Sequence, residues 1–375
     1  MKVSDFISVI GADFFTGVPD SQLKALCDYL MEVYGCDGKH HLIAANEGNS
    51  VAIAAGYYMS TKRIPVVYLQ NSGLGNIVNP VSSLLNDRVY GIPVIFVVGW
   101  RGEPGVHDEP QHLFQGAITE KLLDDIGVRY YILDENTQLT DLNNVMDHFH
   151  VLLEQGKSVA FLVRKNGLNN NFSIDYENYC KITREDAIRH IVKHSDKDII
   201  VATTGKTSRE LFEIRQELDM GHQFDFLTVG SMGHSSSIAL GLAMNCPHKR
   251  IWCIDGDGAL LMHMGAMATI GHYKPPNLVH IVINNHAHES VGGMPTVSDT
   301  LNVVNIGSSC GYSEVYSAST FEELDRALYD AKNNSVLTFI EIICAIGARK
   351  NLGRPTTTPK ENLSSFMKFL FSDDL

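Results

Sequence analysis

Short apolar runs rich in β-branched residues recur along this chain, each followed by a longer amphipathic stretch, and this alternation restricts the fold more than any other feature. "IPVVYLQ", "IPVIFVVGW", "SVAFLVRK" and "LVHIVINN" are apolar at nearly every position rather than at every second one. A strand of that kind is buried on both faces, which implies a parallel sheet covered by helices on both sides. "HHLIAAN" joins the set in the first half, and "DIIVATTG", "FDFLTVG", "RIWCIDG" and "LTFIEIIC" in the second. Helices are expected at "DSQLKALCDYLMEVYG", "EGNSVAIAAGYYMST" and "DEPQHLFQGAITEKLLDDIG". Another starts at "TREDAIRHIVKHS", where Thr183 and Asp186 have the places of an N-cap and a first-turn acid. The fold class expected is α/β, with two doubly wound parallel-sheet domains.

At 375 residues the chain exceeds what one hydrophobic core usually supports. The asparagine-rich stretch "NGLNNNFSIDYENYCKI" interrupts the alternation, so a first domain is expected over 1–168, a linker over 169–182 and a second domain over 183–375. A net charge of −13 argues against nucleic acid or an anionic membrane as partner, although a few gathered basic groups would still bind a small anion. No uncharged apolar run reaches the roughly eighteen residues of a membrane span. The start, "MKVSDFISVIGADFF", lacks the basic region and apolar stretch of a secretory signal. Seven cysteines without a CxxC pair fit a reducing, cytoplasmic setting better than a disulfide framework.

The chemistry concentrates in "IDGDGALLMHMGAMATIGHYKPPNLVHIVINNHAH". One strand ends in Gly256-Asp257-Gly258 and the next in Asn284-Asn285, with residues 259–283 between them. Ligands of open parallel sheets gather at the carboxyl ends of strands. A carboxylate and an amide oxygen there suit a hard divalent cation such as Mg²⁺, which keeps room for phosphate oxygens. Gly256 and Gly258 would let the backbone approach a diphosphate, with amide hydrogens of the following helix turned toward it. An EF-hand is excluded because Ala259 takes its fifth position and no suitable glutamate follows. A dinucleotide fingerprint is excluded because Leu261 stands where the third glycine belongs. A GDG alone is usually a turn; the asparagine pair at the end of the next strand makes the pattern specific.

This pattern resembles the signature of the thiamine diphosphate enzymes. The resemblance implies a pyrimidine-binding domain in the first half and a diphosphate-binding domain in the second. It implies Mg²⁺ held by Asp257, the Asn285 side chain and the Ala287 backbone carbonyl, with Gly256 and Gly258 beside the cofactor. It also implies a glutamate that exchanges a proton with the aminopyrimidine ring, and Glu47 in "AANEGNSVAIAAGYY" has that place. Read by itself, Glu47 is equally a first-turn glutamate stabilised by the helix dipole, worth about 0.3–1 kcal/mol. In "TVGSMGHSSSIALGLA" Met232 matches the apolar residue that wedges the cofactor into a V shape, and the Gly230 carbonyl would accept from its 4′-amino group. Met232 read alone is also a plain core residue. Many relatives carry a middle domain; only the short linker stands here. Because the two domains that share a cofactor generally come from different chains in this family, a homo-oligomer with active sites at subunit interfaces is implied.

"TGVPDSQLK", "GWRGEPGVHDEPQH", "TTGKTSREL", "ESVGGMPT" and "LGRPTTTPKEN" are similar to the branch of that family that acts on 3-phosphonopyruvate, with the sulfopyruvate decarboxylases nearby. That implies conversion of a 2-oxo acid bearing a phosphonate group to phosphonoacetaldehyde and CO₂, in phosphonate biosynthesis. Sulfopyruvate is the alternative substrate. A phosphonate dianion calls for Arg or Lys donors; Arg101, Lys206, Arg209 and Arg354 are the candidates. "GVHDEPQH" supplies His107, Asp108, Glu109 and His112, and histidine titrates near neutrality. Asp20 and Ser21 stand on a turn before a helix, where the family has residues near the reacting atoms, although Asp20 is also a fitting N-cap. Asn71, in the glycine-rich "QNSGLGN", is expected to contact substrate. Glu47, Asp20 and His112 are the expected catalytic residues, and Ser21, Asn71, Arg101, His107, Lys206, Arg209 and Arg354 the expected substrate-binding ones. A cofactor-binding subunit without chemistry, and carboligation as a side activity, are the other readings.

Overall fold

Val66–Gln70 and Ile95–Gly99 are paired in parallel and almost wholly buried, at the centre of the first of two sheets. The computed structural model describes residues 1–371. It divides into two units, Met1–Asp175 and Tyr176–Leu375. The first unit contains β1 (Phe15–Gly17), β2 (His41–Ile43), β3 (Val66–Gln70), β4 (Ile95–Gly99), β5 (Arg129–Leu133) and β6 (Val159–Val163). All six are parallel, in the order β2-β1-β3-β4-β6-β5. The chain runs from β1 outward to β2 and then returns to β3 on the other side of β1. A crevice therefore opens between the ends of β1 and β3, where strand order reverses.

The second unit contains β7 (Ile199–Ala202), β8 (Asp225–Leu227), β9 (Ile251–Gly256) and β10 (Leu278–Asn284). A small hairpin pairs two-residue strands β11 (Ala287–His288) and β12 (Met294–Pro295), and β13 (Glu314–Ala318) and β14 (Thr338–Ile343) complete the large sheet. That sheet is also all parallel, in the order β13-β14-β10-β9-β7-β8, so its reversal lies between β7 and β9. Buried apolar residues cover both of its faces. Each fully buried Val, Leu, Ile or Phe in those layers contributes roughly 1.5–3 kcal/mol.

Three strands of the two large sheets were not expected from the sequence, and each has a physical reason; the two-residue β11 and β12 were not expected either. β1 has only three residues, two of them Thr16 and Gly17, so it makes no apolar run. β5 and β13 are edge strands that stay partly exposed, and their mixed polarity hides them. The helix expected from Asp20 begins as a 3₁₀ turn, Ser21–Leu23, before Lys24–Tyr34. The helix expected from Asp108 starts at Pro110, a residue suited to a first helical turn, and runs to Asp125. The boundary at Asp175 lies within an irregular stretch. No helix among the described residues is long and apolar enough to cross a membrane. All seven cysteines are free.

Candidate active site

In the first unit, Asp20 and Glu47 are both buried carboxylates at the carboxyl edge of the sheet. Asp20 follows β1 and is fully buried. Its Oδ2 accepts from the Gln22 amide at 3.2 Å, which makes it the N-cap that the turn invites. Its Oδ1 accepts from Gln70 Nε2 at 2.6 Å, across the β1–β3 reversal. The end of β4 comes so close that a Cβ on Gly99 would lie 2.1 Å from Asp20 Oδ2. Burial raises the Asp20 carboxyl above the usual range; the Gln70 and Gln22 hydrogen bonds and the nearby Arg101 charge oppose this only in part.

Glu47 opens the helix Glu47–Thr61, which Asn46 caps through the Asn49 amide. It is 5 % exposed. Asn76 Nδ2 donates to Glu47 Oε2 at 2.6 Å. Gly73 lies against the carboxyl, so that a Cβ there would stand 2.4 Å from Oε1. Gly73 and Asn76 both belong to the glycine-rich "QNSGLGN", but nothing in the sequence paired either with Glu47.

Arg101, just after β4, grips Asp108 with Nε (2.7 Å) and Nη2 (2.5 Å), and its Nη1 donates to Ser21 Oγ at 3.0 Å. The Arg101 pKa rises through the Asp108 hydrogen bonds, although burial works against it. Burial would raise the Asp108 carboxyl, but bonds from Arg101 and the Gly102 amide overcome that and hold it below its usual range. Asn71 is buried and fastens the Arg101 backbone: its Nδ2 donates to the Arg101 carbonyl at 2.8 Å and to Thr119 Oγ1 at 2.9 Å, and its Oδ1 accepts from the Arg101 amide at 3.1 Å. Asn71, expected to contact substrate, here ties the Arg101 backbone to Thr119.

Ser21, Arg101, His107 and Asp108 line one crevice of about 710 Å³, together with Lys24 and Arg164. The acids Asp28, Glu103 and Asp134 pair with these added cations. His107 is exposed, and Glu109 stands at the N-cap position of the helix Pro110–Asp125. His112 is half-buried in the first turn of that helix; burial, aided by the Arg101 charge, lowers its pKa.

In the second unit the Gly256-Asp257-Gly258 and Asn284-Asn285 clusters stand at two adjacent strand ends. Gly256 is opposite Ile283 in the β9–β10 pairing, so Asp257 and Asn285 leave neighbouring strands within a residue of each other. Parallel strands lie about 4.8 Å apart. Asp257 is 4 % exposed and Asn285 is 5 % exposed. Asp257 Oδ2 accepts from Thr296 Oγ1 at 2.6 Å and lies 3.0 Å from Ser298 Oγ. Burial raises this carboxyl despite those hydroxyls and the Gly258 amide.

The two asparagines divide their work. Asn284 Nδ2 donates to Glu341 Oε1 at 2.8 Å, and its Oδ1 accepts from the His286 amide at 3.1 Å. Asn285 instead places its Oδ1 over the Ala287 amide at 3.1 Å and gives its Nδ2 to Glu289 Oε2 at 2.8 Å. His286 takes a left-handed φ of 59° to make this turn. Ala287 is opposite Pro295, which has no N–H to offer the Ala287 carbonyl.

Asp257, Asn285 and the Ala287 carbonyl form an all-oxygen donor set, and the carboxylate's side-chain partners are neutral hydroxyls. A buried anion of that kind fits a hard divalent cation, which would supply the missing charge. The backbone beside it is open to close approach: a Cβ on Gly256 would meet nothing within 4 Å. Beside it, Gly258 faces Met232 Cε and the His288 ring, each 3.3 Å from where its Cβ would be. Burial pushes His288 down to about 4, so that its ring is neutral. Met232 is half-buried in the turn after β8, and Gly230 lies in the bend just before it.

Two of the basic residues expected at the substrate have protein partners. Lys206 Nζ donates to Glu289 Oε1 at 2.8 Å. Arg209 donates through Nε to the Gly353 carbonyl at 2.6 Å and through Nη2 to the Leu352 carbonyl at 2.5 Å. It therefore holds the segment in which the exposed Arg354 follows. Thr296, Ser298 and Glu289 were missed in the sequence because hydroxyls and acids in a loop look the same whether they face solvent or a buried carboxylate.

Two family descriptions match the chain: "Thiamine pyrophosphate enzyme, N-terminal TPP binding domain" over residues 2–125, and "Thiamine pyrophosphate enzyme, C-terminal TPP binding domain" over residues 203–342. A phosphonopyruvate decarboxylase from Streptomyces viridochromogenes is 32% identical, over 96% of this chain and 92% of its own length. One from Streptomyces hygroscopicus is 30% identical over 96% and 91%. A sulfopyruvate decarboxylase from Methanosarcina acetivorans is 28% identical over 98% and 97%. At that identity and coverage, with both cofactor-binding domains matched, the chain belongs to the phosphonopyruvate decarboxylase family of thiamine diphosphate-dependent enzymes.

Proposed function

We propose that this enzyme decarboxylates 3-phosphonopyruvate to phosphonoacetaldehyde and CO₂, with thiamine diphosphate and Mg²⁺, as a step in phosphonate biosynthesis. The observation that carries the metal-dependent reading is Asp257: a buried carboxylate held by Thr296 and Ser298, with Asn285 also buried just past the end of the adjacent strand. The substrate follows the relatives' names and their coverage of nearly the whole chain. Thiamine diphosphate, when bound, supplies the electron sink that lets a 2-oxo acid lose CO₂.

The chain's own residues do the rest. Asp257, Asn285 and the Ala287 carbonyl would hold Mg²⁺, with Gly256 and Gly258 leaving space for the diphosphate. The Gly230 carbonyl and Met232 would orient the aminopyrimidine half, and Glu47 would hold a proton for it. Asp20 and His112 are the proton-handling residues of the substrate side, the first with a raised pKa and the second with a lowered one. Arg101, Ser21 and His107 share a crevice suited to the phosphonate. In the second unit Lys206, Arg209 and Arg354 are the further candidate substrate contacts; Lys206 is held by Glu289, and Arg209 by the Leu352 and Gly353 carbonyls that precede Arg354. We infer an assembly of at least two subunits, with Glu47 of one serving the metal site of another; an active monomer in sedimentation would overturn that. The free cysteines support a cytoplasmic setting.

CO₂ and aldehyde release from phosphonopyruvate, sulfopyruvate and pyruvate, each with and without thiamine diphosphate and Mg²⁺, tests this reading. Cofactor-dependent turnover with phosphonopyruvate well ahead is expected. Preference for sulfopyruvate would move the substrate, and no cofactor-dependent turnover on any of the three would remove the function.

A further inference from the structure

The Asn285 amide is held from both ends. Its Oδ1 receives the Ala287 N–H at 3.1 Å, and its Nδ2 gives a hydrogen to Glu289 Oε2 at 2.8 Å. A backbone N–H only donates and a carboxylate only accepts, so a flipped amide would set donor against donor and acceptor against acceptor. Both contacts select the same orientation, in which the oxygen retains a lone pair for a cation.

Glu289 is itself immobilised. Arg184 Nη1 donates to Glu289 Oε2 at 2.7 Å, and Lys206 Nζ donates to Oε1 at 2.8 Å. Arg184 turns its other two donors onto Glu210, at 2.7 Å each. The side chains of Arg184, Glu289 and Glu210 are 7%, 8% and 1% exposed. Two cations face two carboxylates, so the cluster brings no net charge next to the metal ligands. A buried ion pair is a costly way to gain stability alone. Its geometry here does something an apolar contact would not, since it fixes the hand of an amide.

We propose that Glu289 is a positioning residue for Asn285, with Arg184 and Lys206 as its counter-ions, so that metal affinity is set partly by a side chain that never touches the metal. This rests on the reading of Asp257 and Asn285 as the metal site. Outer partners that orient a ligand typically account for about 10–100-fold in metal affinity.

The test uses the full chain, Mn²⁺ with thiamine diphosphate, free Mn²⁺ followed by electron paramagnetic resonance, and thermal unfolding of the apoprotein. Glu289→Asp keeps the charge that Arg184 and Lys206 need but withdraws the carboxylate from Asn285 by one carbon–carbon bond. Glu289→Gln keeps the reach and an accepting oxygen but discards the charge. The expected effects cross. E289D should weaken Mn²⁺ binding about 10–100-fold with little change in apoprotein melting. E289Q should melt earlier yet bind Mn²⁺ within about threefold of the parent, because the amide orientation survives. E289D binding as the parent does, or E289Q weakening as much as E289D, overturns the proposal. A parent protein that binds no Mn²⁺ beside thiamine diphosphate overturns the metal-site reading as well, which separates the two failures.

Discussion

Ser298 Oγ lies 3.0 Å from Asp257 Oδ2, a contact that spans 41 residues of sequence and ties the 3₁₀ turn Val297–Thr300 after β12 to the end of β9. The same oxygen is 2.9 Å from Asn284 Oδ1, so one hydroxyl bridges the ends of two paired strands. Replacing it removes a donor that opposes the burial-driven rise of the Asp257 carboxyl. Ser298→Ala is expected to weaken Mg²⁺ activation about tenfold and to cost the apoprotein about 1 kcal/mol. Mg²⁺ titration of turnover and denaturant unfolding check the two numbers separately.

Gly73 leaves room for Glu47 and for nothing else. A methyl at that position would stand 2.4 Å from Oε1 and 2.6 Å from Cδ, so the carboxyl has to move. Displacing a catalytic group by about 1 Å costs on the order of 10²-fold in rate. Gly73→Ala should therefore lose about that much kcat. Turnover within twofold of the parent would show that Glu47 has no catalytic position to lose.

Arg101 is the residue through which substrate charge should be read. A charge-assisted hydrogen bond contributes about 1.5–3 kcal/mol, equivalent to roughly 10–150-fold in affinity. Arg101→Met is expected to raise KM for phosphonopyruvate within that range while leaving any turnover of pyruvate, which has no phosphonate, nearly as it was. Equal losses on both acids would assign Arg101 to the scaffold with Asn71 and Asp108.

The fully buried His41 gives a pH dependence with a definite sign. Burial lowers its pKa below 6.5, although a hydrogen bond to the Gly35 carbonyl works the other way. The unfolded chain then binds the proton more tightly than the folded one, so the stability contributed by neutral His41 is complete above pH 6.5 and is lost as pH falls through the folded value. His41→Gln should be less stable than the parent at pH 7.5, with the gap narrowing toward pH 5. Melting curves at a series of pH values decide it; a gap that stays constant would show that His41 does not titrate on unfolding.

Much of the fold was legible because its strands are buried on both faces, as β4 and β10 show: continuous apolar runs can be read without knowing the neighbours. The edge strands β5 and β13 were not legible, since half-exposed residues carry no clear period. The same division holds at the site. Asp257, Asn285 and Glu47 stand in short motifs at strand ends and helix starts, where local sequence determines both backbone geometry and chemistry. What the tertiary structure alone decided was which partner each donor has: Lys206 meets Glu289, Arg209 the Leu352 and Gly353 carbonyls, Asn71 the Arg101 backbone, and Arg101 meets Asp108 and Ser21. A charge or amide in a sequence has no partner until the fold brings one within about 3 Å, and partners distant in the chain leave no periodic trace.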